Sequence, residues 1–320
     1  MKIKINHSKS FWSSYTKAVV AVDEPNKLFS IFKLPKISYV NNSSYFELLQ
    51  IDANTLLSNS NRRIQSDQMI KKIRQSSNYF LIMTYSDCEI YNFKFECICQ
   101  CPIQSSLVEI FGSRIFILKG KKIESRNIVD NISINSIELD SDGLITKSSV
   151  NGSFLVVLTS SNDVFAFDIS KFSMRQISKV NLSDFVGAKT VTSIGVSCGG
   201  FCISVNCRSQ MKRCNPILIS AIANGESPKI ELNEKGKLKW DTETPNLFCI
   251  QGSGSLLLTY LVDADLKLFQ LKSLKFPHNN ILLKVSVPRF FHSPPNASGF
   301  NVTSSFLPAF LCLDEAPVQL

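Results

Sequence analysis

Short apolar runs separated by polar turns recur along the whole chain, and consecutive runs pair naturally as antiparallel hairpins. Residues 17–22 and 27–32 flank the turn at 23–26, and residues 79–84 and 88–93 flank 85–87. The same pattern returns at 114–118 with 122–125, and most clearly at 154–159 with 164–168 around Ser160-Ser161-Asn162-Asp163. A fifth copy begins at 199–205, and a sixth runs 255–260 with 266–271. Taking Val20, Ile82, Ile117, Val157, Ile203 and Leu257 as anchors, the gaps are 62, 35, 40, 46 and 54 residues. A four-stranded propeller blade takes roughly 40–50 residues. The first gap has room for further strand, and residues 45–49 fill part of it. The pattern predicts an all-β fold, a β-propeller of six or seven degenerate blades over residues 1–275.

Two stretches depart from this rhythm. In residues 61–74, Ile64, Met69, Ile70 and Ile73 fall on roughly one face of a short helix, and the segment reads equally as a basic loop entering the next strand. From residue 276 onward the composition shifts, with Pro277, Pro288, Pro294, Pro295, Pro308 and Pro317. Residues 276–320 are therefore expected as a strap or extension. The ending reads equally as a natural tail or as a cut within something longer.

The copies resemble WD-repeat and RCC1-type blades. Residues 150–160 and 191–201 are similar to the RCC1 strand that follows a small-residue step. The glycine pairs of RCC1 repeats are mostly missing, the Gly-His dipeptide of WD repeats does not occur, and Trp-Asp occurs once, at Trp240-Asp241. A second resemblance, over residues 79–222 and resting on 154–182, is to the N-terminal propeller of the spatacsin family of large membrane-trafficking proteins. It would imply a lysosomal or endosomal scaffold; the RCC1 resemblance would imply a regulator of a small GTPase or a chromatin binder.

Composition fits a folded protein: 44% hydrophobic and 19% charged residues in a 320-residue chain exclude disorder, and 13 glycines and 12 prolines exclude a collagen-like repeat. No apolar run approaches the roughly 18–20 residues of a membrane span, and residues 1–6 do not lead into a secretory core. An intracellular protein, cytoplasmic or nuclear, is expected, with its ten cysteines as free thiols.

Candidate chemistry is sparse. His7, His278 and His292 lie near the termini without a partner carboxylate and nucleophile at a recognisable spacing. Cys97, Cys99 and Cys101 would share one face of a strand, but zinc sites favour pairs at tight turns. Cys198, Cys202, Cys207 and Cys214 match no knuckle spacing, so the thiols read as small hydrophobes. Gly252-Ser253-Gly254-Ser255 lacks the Lys-Ser/Thr of a phosphate loop, and Asp140-Ser141-Asp142-Gly143 lacks the remaining ligands of a calcium loop. No catalytic site, metal or cofactor is predicted, and the chain is read as a non-enzyme.

Basic residues give the one candidate surface. Arg62, Arg63, Lys71, Lys72 and Arg74 cluster in one segment, and Arg114, Lys119, Lys121, Lys122 and Arg126 in another. Brought together on adjacent blades, they would bind phosphates, as the net charge of +9 also allows. The competing reading is scattered solubilising charge. The leading expectation is a non-catalytic scaffold that binds other proteins within a multiprotein complex, with nucleic acid or an acidic membrane surface as alternative partners through the basic clusters.

Overall fold

The computed structural model describes residues 9–13, 18–23, 28–33, 39–43, 46–50, 53–60, 62–102, 107–187, 189–209, 212–221, 228–252, 256–263, 265–275, 281–286, 289–293 and 303–306, with side chains only between 48 and 273. These residues form eight antiparallel sheets in chain order. The first holds Lys9–Ser13, Ala18–Asp23 and Leu28–Lys33. The second holds Tyr39–Ser43, Phe46–Gln50, Thr55–Ser58 and Arg63–Gln65. The third is Lys72–Gln75, Tyr79–Met83, Asp87–Asn92 and Cys97–Pro102. The fourth is Leu107–Phe111, Arg114–Lys119, Lys122–Asn127 and Ser133–Glu138.

The fifth sheet comprises Ile145–Asn151, Phe154–Thr159, Asp163–Asp168 and Arg175–Asn181. The sixth runs Thr190–Val196, Cys202–Ser209, Ile217–Ser220 and Lys229–Glu231, with the short Lys212–Arg213 pairing on Cys202–Ser209. The seventh is Gly236–Trp240, Leu247–Gly252, Leu256–Val262 and Leu268–Lys275. The eighth is Ile281–Ser286, Arg289–Ser293 and Thr303–Phe306. From the second sheet to the eighth, the first strand of each lies beside the first strand of the next, so these strands line the inside of the array. This is the up-and-down blade architecture of a propeller.

The strand Phe154–Thr159 shows why the sequence folds this way. Leu155 and Val157 pack with Phe116 and Leu118 of the fourth sheet, while Val156 and Leu158 pack with Val196 and Ile203 of the sixth. Side chains alternate between the two faces of a strand. A central strand covered on both faces therefore reads as an unbroken apolar run rather than an alternating one. Similar layers join the second sheet to the third through Phe80 and Ile82, the third to the fourth through Leu81 and Ile110, and the sixth to the seventh through Leu218 and Phe248.

The 62-residue gap proves to hold a whole four-stranded sheet, the second, and residues 45–49 largely coincide with its strand Phe46–Gln50. The 54-residue gap has a different cause. Leu257 lies on the third strand of its sheet, whereas Ile82, Ile117, Val157 and Ile203 lie on the second strands of theirs. Residues 61–74 form no helix where described: Arg63–Gln65 ends one blade and Lys72–Gln75 begins the next. The only helix among the described residues is Ser183–Val186. Residues 276–320, expected as a strap, carry the three paired strands of the eighth sheet, and their six prolines lie outside the described residues.

Neighbouring blades also meet through their first turns. Gly200 sits at φ +76°, and a Cβ there would overlap the Phe154 ring of the fifth sheet. The site demands both a left-handed backbone and an absent side chain. Gly200→Ala is expected to destabilise the fold by about 2 kcal/mol or more, read as a lower urea midpoint with unchanged slope. A neutral substitution would show that this contact relaxes freely.

Candidate functional site

The inner strands converge on one carboxylate. Glu109 belongs to Leu107–Phe111, where Val108 and Ile110 turn into the core shared with the third sheet. Its side chain is 0% exposed. Lys72 Nζ donates to Glu109 Oε1 at 2.7 Å, and Arg74 donates through Nε to Oε2 at 2.5 Å and through Nη2 to Oε1 at 3.4 Å. Ser148 Oγ, from the first strand of the fifth sheet, donates to Oε1 at 2.7 Å. Lys72 and Arg74 are two residues apart on a strand and share one face, which lets both reach a single acid. Three blades are thus joined at one buried ion. A buried carboxylate without such partners would bear a heavy desolvation cost.

Glu109 was not singled out among the candidate residues. The signal available was an acid inside the apolar run Leu107-Val108-Glu109-Ile110-Phe111. Such a charge persists in a core only when paired.

The two basic segments do not survive as clusters. Arg62 and Arg63 lie at the last strand of the second sheet, while Lys71, Lys72 and Arg74 lie at the first strand of the third, because the chain crosses from the outer edge of one blade to the inner edge of the next. Arg62 donates to the Lys94 carbonyl at 3.2 Å and sits 5.6 Å from the centre of the Phe95 ring; Arg63 is exposed. Lys71 is exposed, 5.6 Å from the centre of the Tyr85 ring.

In the fourth sheet, Lys119 and Lys122 face each other across a two-residue turn that also carries Lys121. Arg114 and Arg126 lie at the other end of the same hairpin, about 13–16 Å away at the rise of a strand. Arg114 is only 6% exposed. Its guanidinium donates to the carbonyls of Ile169 and Lys171 and lies 5.8 Å from the centre of the Phe172 ring, clamping the fifth sheet's 169–174 turn. Burial lowers its pKa. Arg126 is held by Glu124 at 3.0 and 3.2 Å. The exposed remainder is Lys119 and Lys122 of the Lys119-Gly120-Lys121-Lys122 turn, where Lys121 is half-buried beside the cleft between the fourth and fifth sheets.

A second polar constellation lies between the fourth and fifth sheets, around a cleft of about 510 Å³. Asp163 accepts from Ser141 Oγ at 2.6 Å, Ser161 Oγ at 2.8 Å and Asn181 Nδ2 at 2.7 Å. Burial pushes the Asp163 carboxyl up, but these hydrogen bonds and nearby Lys179 outweigh it and hold the pKa below its ordinary value of 3.8. The Asp140–Gly143 loop is part of this bracing: Asp140 pairs with Lys179 at 3.1 Å, and Ser141 reaches Asp163.

The cysteines stay dispersed. Cys97, Cys99 and Cys101 lie along the outer strand of the third sheet, with Cys99 Sγ 3.3 Å from Cys101 Sγ. Burial raises the Cys99 thiol to about 11 and those of Cys202 and Cys249 to about 12, so these three are thiols at neutral pH. Cys202 and Cys207 enter different cores. Among the described residues no group of three His, Cys, Asp or Glu is arranged to hold a metal ion. The side chains of the three histidines, and residues 253–255 of the glycine-rich turn, lie outside what is described. No helix among the described residues is long and apolar enough to cross a membrane.

Blade order, paired inner strands and inter-blade cores together define a degenerate WD-like β-propeller, and solved structures agree. Hsv2 of Kluyveromyces lactis superposes with a TM-score of 0.56 at 9% identity, over 82% of this chain and 94% of that one. KlAtg21, in its complex with the coiled-coil of AgAtg16, gives 0.57 at 11% identity over 85% and 100%. The Cps50 (Swd1) β-propeller domain of Myceliophteria thermophila gives 0.52 at 10% identity over 77% and 96%. No family model matches the chain, and no curated protein matches it in sequence.

Glu109→Ala leaves Lys72 and Arg74 facing each other without their counter-ion, and a loss of about 3 kcal/mol is expected, measured by urea unfolding. A change below about 0.5 kcal/mol would match only an exposed ion pair. Asp163 sets a pH dependence. Its folded pKa lies below the unfolded one, so the unfolded state binds more protons as pH falls, and stability present above about pH 4 is lost below it. Asp163→Asn should flatten the decline between about pH 5 and 3, followed as thermal midpoint against pH.

Proposed function

We propose that this chain is a non-catalytic protein-interaction scaffold, a subunit or recruiting domain of a multiprotein complex. One observation carries the reading. Val129, Ile132 and Phe172 are 68%, 62% and 73% exposed on third-to-fourth-strand turns of two adjacent blades. Alternate turns of an up-and-down sheet fall at the same end, so these side chains share one end of the array. Arg114 ties them together: it begins the strand beside the 128–132 turn, and its guanidinium grips the 169–174 turn. An exposed apolar cluster on a rigid base is what a protein partner covers. The solved complex of KlAtg21 with a coiled-coil supports the reading, since a propeller of this build there holds a protein partner.

The second reading rests on the Lys119-Gly120-Lys121-Lys122 turn, where Lys119 and Lys122 are exposed and Lys121 is half-buried. It would serve a phosphate-bearing partner: nucleic acid, as in an RCC1-like GTPase regulator or chromatin binder, or an acidic membrane, as in a trafficking scaffold.

One experiment separates the two. Affinity capture with the wild-type chain is compared with Ile132→Glu/Phe172→Glu and with Lys119→Glu/Lys121→Glu/Lys122→Glu. Loss of at least about tenfold in the recovered partner is expected for the first variant alone. Loss confined to the lysine variant, with binding that weakens steeply as salt rises, would replace the first reading by the second. Full retention by both would remove both surfaces.

A further inference from the structure

The outer strand of the third sheet, Cys97–Pro102, carries a cysteine pair that neither proposed surface uses. Its register against Asp87–Asn92 sets Cys101 opposite Cys88 and Cys99 opposite Ile90, then shifts so that Cys97 stands opposite Tyr91. Residues directly opposite each other share a face of the sheet. Cys99 and Cys101 therefore lie with Cys88 and Ile90 on the face packed against the fourth sheet. The extra residue of the shift, Ile98, turns Cys97 to the other face, that of Tyr91, which packs toward the second sheet. The three thiols expected on one face are thus divided, and two of them meet.

The Sγ atoms of Cys99 and Cys101 are 3.3 Å apart. Cys101 is buried and Cys99 half-buried, so the pair rests on the core yet is reachable from solvent. Cys101 also donates to Asn131 Oδ1 of the fourth sheet's 128–132 turn at 3.8 Å. Arg126 lies within electrostatic reach of Cys101, and its ion-pair partner Glu124 stands on the same strand. Thiolates are soft ligands that select soft ions. Structural zinc takes four ligands, and among the described residues no group of three His, Cys, Asp or Glu is arranged to hold a metal. Two adjacent sulfurs suit instead a soft monovalent ion, which two thiolates satisfy. A metal–thiolate bond is about 2.3 Å, so sulfurs on opposite sides of an ion stand at most about 4.6 Å apart, and the pair need open by only about 1.3 Å. Side-chain torsions on an outer strand supply that movement without shifting the core.

We propose that Cys99 and Cys101 bind a single Cu(I) ion between their sulfurs. Both S–H protons pass to solvent as the two Cu–S bonds form, and no electron is exchanged. Two neutral thiols and a monovalent cation thereby give a bis-thiolate of one negative charge, which Arg126 faces. The site stands apart from the partner-binding reading and fails or holds independently of it.

Anaerobic titration of the reduced full chain with Cu(I), against the chromogenic Cu(I) chelator bicinchoninate, tests the proposal. The wild-type chain should withdraw one equivalent from the chelator. Changes outside the ligand set already cost about 10–100-fold in metal affinity, so loss of a ligand in Cys99→Ser or Cys101→Ser should weaken this uptake at least about 100-fold. Cys97→Ser, two residues away on the opposite face, and Cys198→Ser/Cys214→Ser should leave it unchanged. Circular dichroism and the thermal midpoint of the metal-free variants establish that each is folded. X-ray absorption of the loaded protein should show two sulfur neighbours around copper. Failure to compete with the chelator overturns the proposal. So does equal weakening by Cys97→Ser or Cys198→Ser/Cys214→Ser, which would mark uptake by scattered thiols, or a copper shell of four ligands.

Discussion

Each central sheet has two apolar faces, and that single constraint organises the molecule. A four-stranded blade alone would leave one or both faces in water, since burying a Leu or Val side chain gains only about 1.5–3 kcal/mol and only when a neighbour covers it. Phe154–Thr159 meets the constraint by sending Leu155 and Val157 to one neighbouring sheet and Val156 and Leu158 to the other. Blade stability is therefore shared. A repeat gains its core from the repeats beside it, as in other arrays whose units contact only their neighbours.

Apolar layers alone do not settle how the inner edges of the blades meet, because hydrophobic contact is non-directional. Directional bonds do that. Glu109 draws Lys72 and Arg74 from the sheet before it and Ser148 from the sheet after it, so three inner strands share one acceptor. At the end where the first and third turns lie, Arg114 holds the carbonyls of the next blade's 169–174 turn. At the opposite end, Ser141, from the connection between the fourth and fifth sheets, bonds Asp163 of the fifth. Polar bridges of this kind fix neighbouring blades in one arrangement while the apolar layers supply most of the stability.

The fold was readable because a strand buried on both faces leaves a dense apolar run, and such runs recur at blade spacing. Finer features escaped for definite reasons. The second sheet was visible only as residues 45–49, since its third strand, Thr55–Ser58, is short and its fourth, Arg63–Gln65, is polar. Leu257 served as an anchor because its strand is the more apolar of two neighbours, which moved the sixth copy one strand outward. Basic residues close in sequence were assumed close in space. A strand separates its ends by about 3.3 Å per residue, and a blade-to-blade crossing separates them further. Glu109 is the reverse case: its partners lie 35 and 37 residues away, so no local window contains the site.

These placements change what the net charge of +9 means. Lys72 and Arg74 neutralise a buried acid, Arg126 is matched to Glu124, and Arg114 caps a turn, so four of the ten candidate cations serve the architecture. Of the remaining candidates, three lysines are grouped at one turn of the fourth sheet. Lys121 is half-buried and lines the cleft that also holds Asp140 and Asp163, so only Lys119 and Lys122 stand exposed, where a Debye length of about 8 Å at physiological salt screens them and only a polyanionic surface would gain much.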